Sequence, residues 1–124
     1  MRIFPVIIDG DESLKYVFPA KQKDAQVAIS LAKADSRINR LIIFGSSVTM
    51  DCGMSSDIDI AIDAPNISED DFLRIAHKFF IGIKSEVDVI HYNNIRSSML
   101  KNEMNYETFS RFEWVYRFGF PNGD

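Results

Sequence analysis

Leu41-Ile42-Ile43-Phe44-Gly45-Ser46, then ten residues, then Asp57-Ile58-Asp59-Ile60-Ala61-Ile62-Asp63 is the passage that decides how this chain folds. The first run is short, continuous and apolar, as in a strand covered on both faces. It ends in Gly45-Ser46, a turn small enough for backbone amides to wrap a phosphate, because glycine has no side chain to hold an anion away. The second run alternates strictly. Ile58, Ile60 and Ile62 take one face of a strand, and Asp57, Asp59, Ala61 and Asp63 take the other. Carboxylates at i and i+2 stand about 6–7 Å apart along a strand. That spacing lets two aspartates bracket one magnesium or manganese ion, or bridge two. A phosphate turn beside a metal pair points to chemistry on a nucleoside triphosphate.

Before this passage, Ala25, Ala28, Ile29 and Ala32 recur at helical spacing, with Val27 and Leu31 widening the stripe. A helix is predicted over 22–35, broken by Asp35-Ser36-Arg37. Farther back, Ile3 to Ile8 and Leu14 to Phe18 flank Asp9-Gly10-Asp11-Glu12, which reads as a β-hairpin with Pro5 on an edge. After the passage, Pro65-Asn66 ends the strand. Ser68 is a good helix N-cap, and Glu69, Asp70 and Asp71 place negative charge at the positive end of the helix that follows. Phe72, Ile75, Ala76, Phe79, Phe80 and Ile83 give that helix its apolar stripe. Glu86 to His91 is a third strand, with Val87 and Val89 on one face and Asp88 on the other. Helical spacing returns at Ile95, Met99 and Leu100, and again at Phe109, Phe112, Val115 and Tyr116, with a joint at Met104-Asn105-Tyr106.

The link between the two core strands is too short for a crossover helix, so they pair antiparallel and the sheet is mixed. The expected class is α/β (α+β), a small mixed sheet packed with helices. One domain spans 1–124: an N-terminal hairpin extension over 1–20, a core over 22–91 and a helical C-terminal segment over 94–118.

At 124 residues and 46% hydrophobic content the chain can bury one ordinary core. A net charge of -4 argues against holding long nucleic acid by charge. The single cysteine, Cys52, makes no internal disulfide. No apolar run reaches membrane-spanning length and the start lacks a signal-peptide pattern, so the expected location is the cytoplasm.

Asp88 completes a candidate metal and catalytic set with Asp57 and Asp59. Three carboxylates packed together repel, and a divalent cation removes the conflict. Asp88 would lie nearest the attacking group and act as general base. Gly45 and Ser46 would hold phosphate, with Ser47 and Ser56 beside them in the nucleotide-binding set.

Gly45-Ser46, ten residues and Asp57-Ile58-Asp59, with Asp88 in Val87-Asp88-Val89-Ile90, resembles the signature of the minimal nucleotidyltransferases of the DNA polymerase beta-like superfamily. The resemblance runs from about Ala25 to Ile90. It implies a mixed-sheet polymerase-beta-like palm, a nucleoside triphosphate (ATP above all), Mg²⁺ (or Mn²⁺), and transfer of a nucleoside monophosphate with release of pyrophosphate. Several relatives are antitoxins that add AMP to a tyrosine of a HEPN-type toxin, and others modify aminoglycosides. Many carry arginines just after the Gly-Ser, where this chain has Ser47 and Thr49.

Each part alone has a plainer meaning. An acidic alternating strand is usually a solvated edge, and Gly-Ser marks countless turns. The joint spacing overturns those readings. Asp63 is expected in a turn, His91 at a strand end, His77 on a helix surface and Glu69-Asp70-Asp71 in capping. The C-terminal aromatics from Tyr106 to Phe120 are core, or a patch for a second copy or a toxin. Two alternatives stand beside the enzyme acting on a protein: a non-catalytic antitoxin-like module that works by occlusion, and an antibiotic adenylyltransferase.

Overall fold

Arg40–Phe44 forms strand β1, as its unbroken apolar run predicts, with Leu41, Ile42 and Ile43 all buried. It pairs antiparallel with β2, Ile58–Asp63, in a register that sets Phe44 opposite Asp59 and Arg40 opposite Asp63. Strand β3, Val87–His91, lies parallel to β2 on the other side and sets Asp88 opposite Asp59. The computed structural model describes residues 3–8, 12–48, 57–94 and 106–110.

Two helices lie among those residues, α1 (Gln22–Lys33) and α2 (Glu69–Gly82). Ala25, Ala28, Ile29 and Ala32 of α1 and Phe72, Ile75, Ala76 and Phe79 of α2 join Leu41, Ile43, Ile58, Ile60 and Ile62 in one buried cluster. The isoleucine face of β2 is therefore the helix-covered face, and the aspartate face is the opposite one. Gly82 of α2 lets the helices approach closely: a Cβ there would come within 3.2 Å of Leu31 on α1. Ser68 caps α2, its hydroxyl accepting from the Asp71 amide at 3.1 Å. Neither helix is long and apolar enough to cross a membrane.

Three expectations change. The sheet has a fourth strand, β4 (Tyr106–Ser110), antiparallel to β1, giving the order β3-β2-β1-β4. It falls where the helical C-terminal segment was expected. The free edge of β1 exposes amides and carbonyls that demand partners. Tyr106, Thr108 and Phe109 are the aromatic and β-branched types that supply such a strand. The expected helix at Ile95 to Leu100, and the remainder of the segment beyond Ser110, lie outside the described residues.

Nor do the described residues of the N-terminal segment form the expected hairpin. Residues 3–8 carry no strand, and Glu12–Tyr16 is a 3-10 turn that buries Leu14, with Val17 buried just beyond it. The two pieces do lie side by side, joined by the Phe4 amide to the Lys15 carbonyl at 2.6 Å. The buried Gln22 side chain ties them to α1, accepting from the Ile7 amide and donating to the Pro5 and Val17 carbonyls. Phe80, third, was assigned to the apolar stripe of α2 but faces solvent.

Candidate active site

The site is built at the end of the sheet where β1 leaves and β2 and β3 begin. Gly45 follows β1 directly and opens a 3-10 turn, Gly45–Val48. Its φ of +74° is left-handed, the only such residue among those described. A Cβ there would stand 2.5 Å from Asp59 Oδ2. Glycine is needed twice over, for the backbone turn and for the close approach of the Asp59 carboxylate.

Asp59 is the hub. The parallel register places Asp88 directly across from it, and Asp57 precedes it by two residues, on the same side of the pleat. Burial pushes the Asp59 carboxyl above its ordinary value. The nearby charges of Asp88 and Asp57, and a hydrogen bond shared with the Asp88 side chain, push it the same way. Asp57 and Asp88 thus both act on Asp59, and the glycine turn touches the Asp59 carboxylate. Asp88 is exposed, while Asp57 and Asp59 are half-buried.

The donor set fits a hard divalent cation: carboxylate oxygens alone, with Asp59 disfavoured as an anion until positive charge arrives. Among the described residues no three acidic, histidine or cysteine side chains are gathered into a preformed metal cage. An open cavity of ≈ 390 Å³ adjoins the carboxylates, with Asp57 and Asp88 on one wall and Phe80, Ile83 and Lys84 on another.

The serines behave differently. Ser47 is fully buried, its hydroxyl has no partner, and its carbonyl accepts from the Phe18 amide at 2.8 Å. That backbone bond ties the turn to the N-terminal segment. Ser46 is the second residue of the turn. Its side chain, and Ser56, lie outside the described residues.

Residue patterning from position 26 to position 109 matches the family described as Polymerase beta, Nucleotidyltransferase. The chain belongs to this nucleotidyltransferase family. No curated protein matches it. The family match covers both helices but for the first turn of α1, all of β1, β2 and β3, and most of β4, the elements that carry and surround the carboxylates. A nucleotidyltransferase acts on a nucleotide, and such domains generally use divalent metals.

Asp63, expected in a turn, is instead the last residue of β2. Asp63 accepts from Arg40 Nε at 2.7 Å and Asn93 Nδ2 at 2.8 Å, at the far end of the sheet. His91 is buried, stacked on Phe72 with ring centroids 4.6 Å apart, and its Nε2–H donates to the Ala64 carbonyl. His77 is exposed on α2. Sequence reasoning missed a buried polar cluster beside the site. Lys21 Nζ donates to Ser85 Oγ at 3.2 Å, and that hydroxyl donates to Asp24 Oδ2 at 2.5 Å. Lys21 and Asp24 are both buried, and Ser85 lines the cavity. The link pins the loop between α2 and β3 to the start of α1. A lysine and an aspartate three positions apart look like any helix surface in sequence, so no local pattern signals it.

Proposed function

We propose that the protein is a magnesium-dependent nucleotidyltransferase that passes AMP from ATP to a hydroxyl of a protein acceptor, a HEPN-type toxin being the candidate partner. One observation carries the reading: Asp59 is held against Gly45 on one side and Asp88 on the other. The reacting phosphate can therefore meet a glycine turn and a carboxylate cluster together. Asp57, Asp59 and Asp88 would hold the magnesium, which supplies charge neutralisation of the triphosphate and acidification of the attacking hydroxyl.

The chain's own residues do the rest. Gly45 leaves room for phosphate beside its backbone, and the Ser46 amide donates to the phosphate oxygens. Asp88, exposed at the sheet edge, accepts the proton of the acceptor hydroxyl. The acceptor oxygen bonds to the α-phosphorus as the α–β bridging P–O bond breaks, and pyrophosphate leaves with the electron pair. Incubation with labelled ATP, Mg²⁺ and a HEPN-type toxin as acceptor tests the reading. Label entering the toxin with the native chain and not with Asp57→Ala/Asp59→Ala is the expected result. Equal labelling by both defeats it.

The occlusion reading draws on Ser47 and Thr49, which stand where many relatives carry arginine. It requires the double aspartate variant to neutralise the partner as well as the native chain does. Antibiotic modification requires the native chain to raise aminoglycoside resistance in cells.

A further inference from the structure

We infer that the segment from Phe18 to Asp24 is a clasp for the site, with Lys21, Asp24 and Ser85 as positioning residues that fix where the β2 and β3 carboxylates stand relative to the Gly45 turn. The inference rests on the proposed nucleotidyl transfer and deepens it. Two hydrogen-bonded arms leave the segment. In the first, the Phe18 amide donates to the Ser47 carbonyl at 2.8 Å, inside the 3-10 turn that Gly45 opens. The Phe18 carbonyl accepts from the Lys21 amide at 2.8 Å, which closes the turn between the arms. In the second, Lys21 Nζ donates to Ser85 Oγ at 3.2 Å, and that hydroxyl donates to Asp24 Oδ2 at 2.5 Å. The residue after Ser85 is Glu86, whose carbonyl accepts from the Ile58 amide at 3.0 Å. Ile58 stands between Asp57 and Asp59. Asp88 is two residues beyond Glu86, across from Asp59.

The bond from Ile58 to Glu86 lies where β2 and β3 begin, and strand ends open more readily than strand centres. The carboxylates load that same end. Asp57 and Asp88 both act on Asp59 as like charges, which pushes the two strands apart there. The clasp opposes this one residue away. Lys21 and Asp24 are 1% and 7% exposed, and hydrogen bonds to charged groups out of water are short and strong. Buried charges add little to stability over apolar residues of like size, and they serve better to hold one arrangement. The arrangement held is the spacing between the Gly45 turn and Asp88, on opposite flanks of Asp59. Proton transfer and in-line attack tolerate little error in it, since a shift of about 1 Å costs about a hundredfold in rate. Residues 18–24 precede position 26, where the family match begins, so the clasp lies outside the matched stretch.

The test makes two measurements on the full chain. Backbone amide exchange reads the clasp without any nucleotide. Ser85→Ala is expected to speed exchange at Ile58 about tenfold or more. Ser68→Ala, which weakens only the cap of α2, should leave Ile58 unchanged. Transfer is then followed with α-labelled ATP, Mg²⁺ and a HEPN-type toxin as acceptor. Ser85→Ala and Asp24→Asn are each expected to lower kcat about tenfold or more, with the KM for ATP moving by less than about twofold. Ser85→Thr keeps the hydroxyl and should restore the native behaviour in both measurements, and Ser68→Ala should keep the native kcat. Unchanged Ile58 exchange in Ser85→Ala overturns the inference, and so does a native kcat in either Ser85→Ala or Asp24→Asn. A native chain that labels no toxin removes the transfer reading, and the Ile58 amide alone then decides the clasp.

Discussion

At the residue scale, Gly45 and Asp59 must be considered as a pair. The left-handed φ at Gly45 and the 2.5 Å approach a Cβ would make to Asp59 Oδ2 both exclude a side chain. Gly45→Ala is expected to cost about 1–2 kcal/mol in thermal unfolding from the backbone alone. It should also abolish nucleotide transfer, because the displaced carboxylate no longer meets its neighbours. Asp59 carries a pH signature. Burial, helped by Asp88 and Asp57, raises its carboxyl above the ordinary 3.8. Stability held by the protonated form is fully present below 3.8 and is lost as pH rises through the raised value. In the presence of a chelator, Asp59→Asn should therefore melt higher than the native chain at neutral pH. The gap should close on acidification below the ordinary carboxylate range, and melting curves across pH measure both. The same variant should be inactive. That Asp57 and Asp59 share a face was legible in sequence because strand alternation fixes faces without any knowledge of neighbours. The burial of Ser47 was not, since it depends on Phe18 and the N-terminal segment packing over the turn.

At the scale of elements, β1, β2, β3, α1 and α2 lie close to their predicted spans because each carries its own periodicity and stop signals. Ser68 shows how local the signal can be: its hydroxyl caps α2 as the sequence alone suggests. Ser68→Ala should lower unfolding free energy by about 1 kcal/mol and leave nucleotide binding unchanged, as denaturant titration and calorimetry would show. Ser85 is the opposite case. Its value comes from Lys21 and Asp24, sixty-odd positions away in the chain. Ser85→Ala removes one hydrogen bond from each of the two buried charges and is expected to cost about 1–3 kcal/mol. Denaturant titration measures that loss. Element β4 was misassigned for a similar reason. Phe109 falls at helical spacing with Phe112 and Tyr116, but the pattern competes with an unpaired β1 edge that only the assembled sheet reveals. Phe80 reads in sequence as part of the apolar stripe of α2, but a single 100° step from buried Phe79 turns it outward.

At the scale of the whole molecule, the sheet order β3-β2-β1-β4 puts the Gly45 turn and Asp88 on opposite flanks of Asp59. A ligand that binds only the folded chain must stabilise it. Magnesium with a non-hydrolysable ATP analogue at about a hundred times its Kd should add about 2.7 kcal/mol to unfolding. Neither component alone, nor both with Asp57→Ala/Asp59→Ala, should match that gain in a thermal-shift assay. The sequence by itself determined which side chains share a face, where helices begin, and that a glycine turn precedes an aspartate pair. Those properties depend on residues a few positions apart and on two fixed periods. Only the tertiary structure decided that Asp88 lies across from Asp59, that β4 closes the β1 edge, and that Phe80 opens beside the carboxylates. Each of these joins segments distant in the chain. Such contacts are chosen by the burial and hydrogen-bond demands of the assembled sheet, which no local pattern encodes.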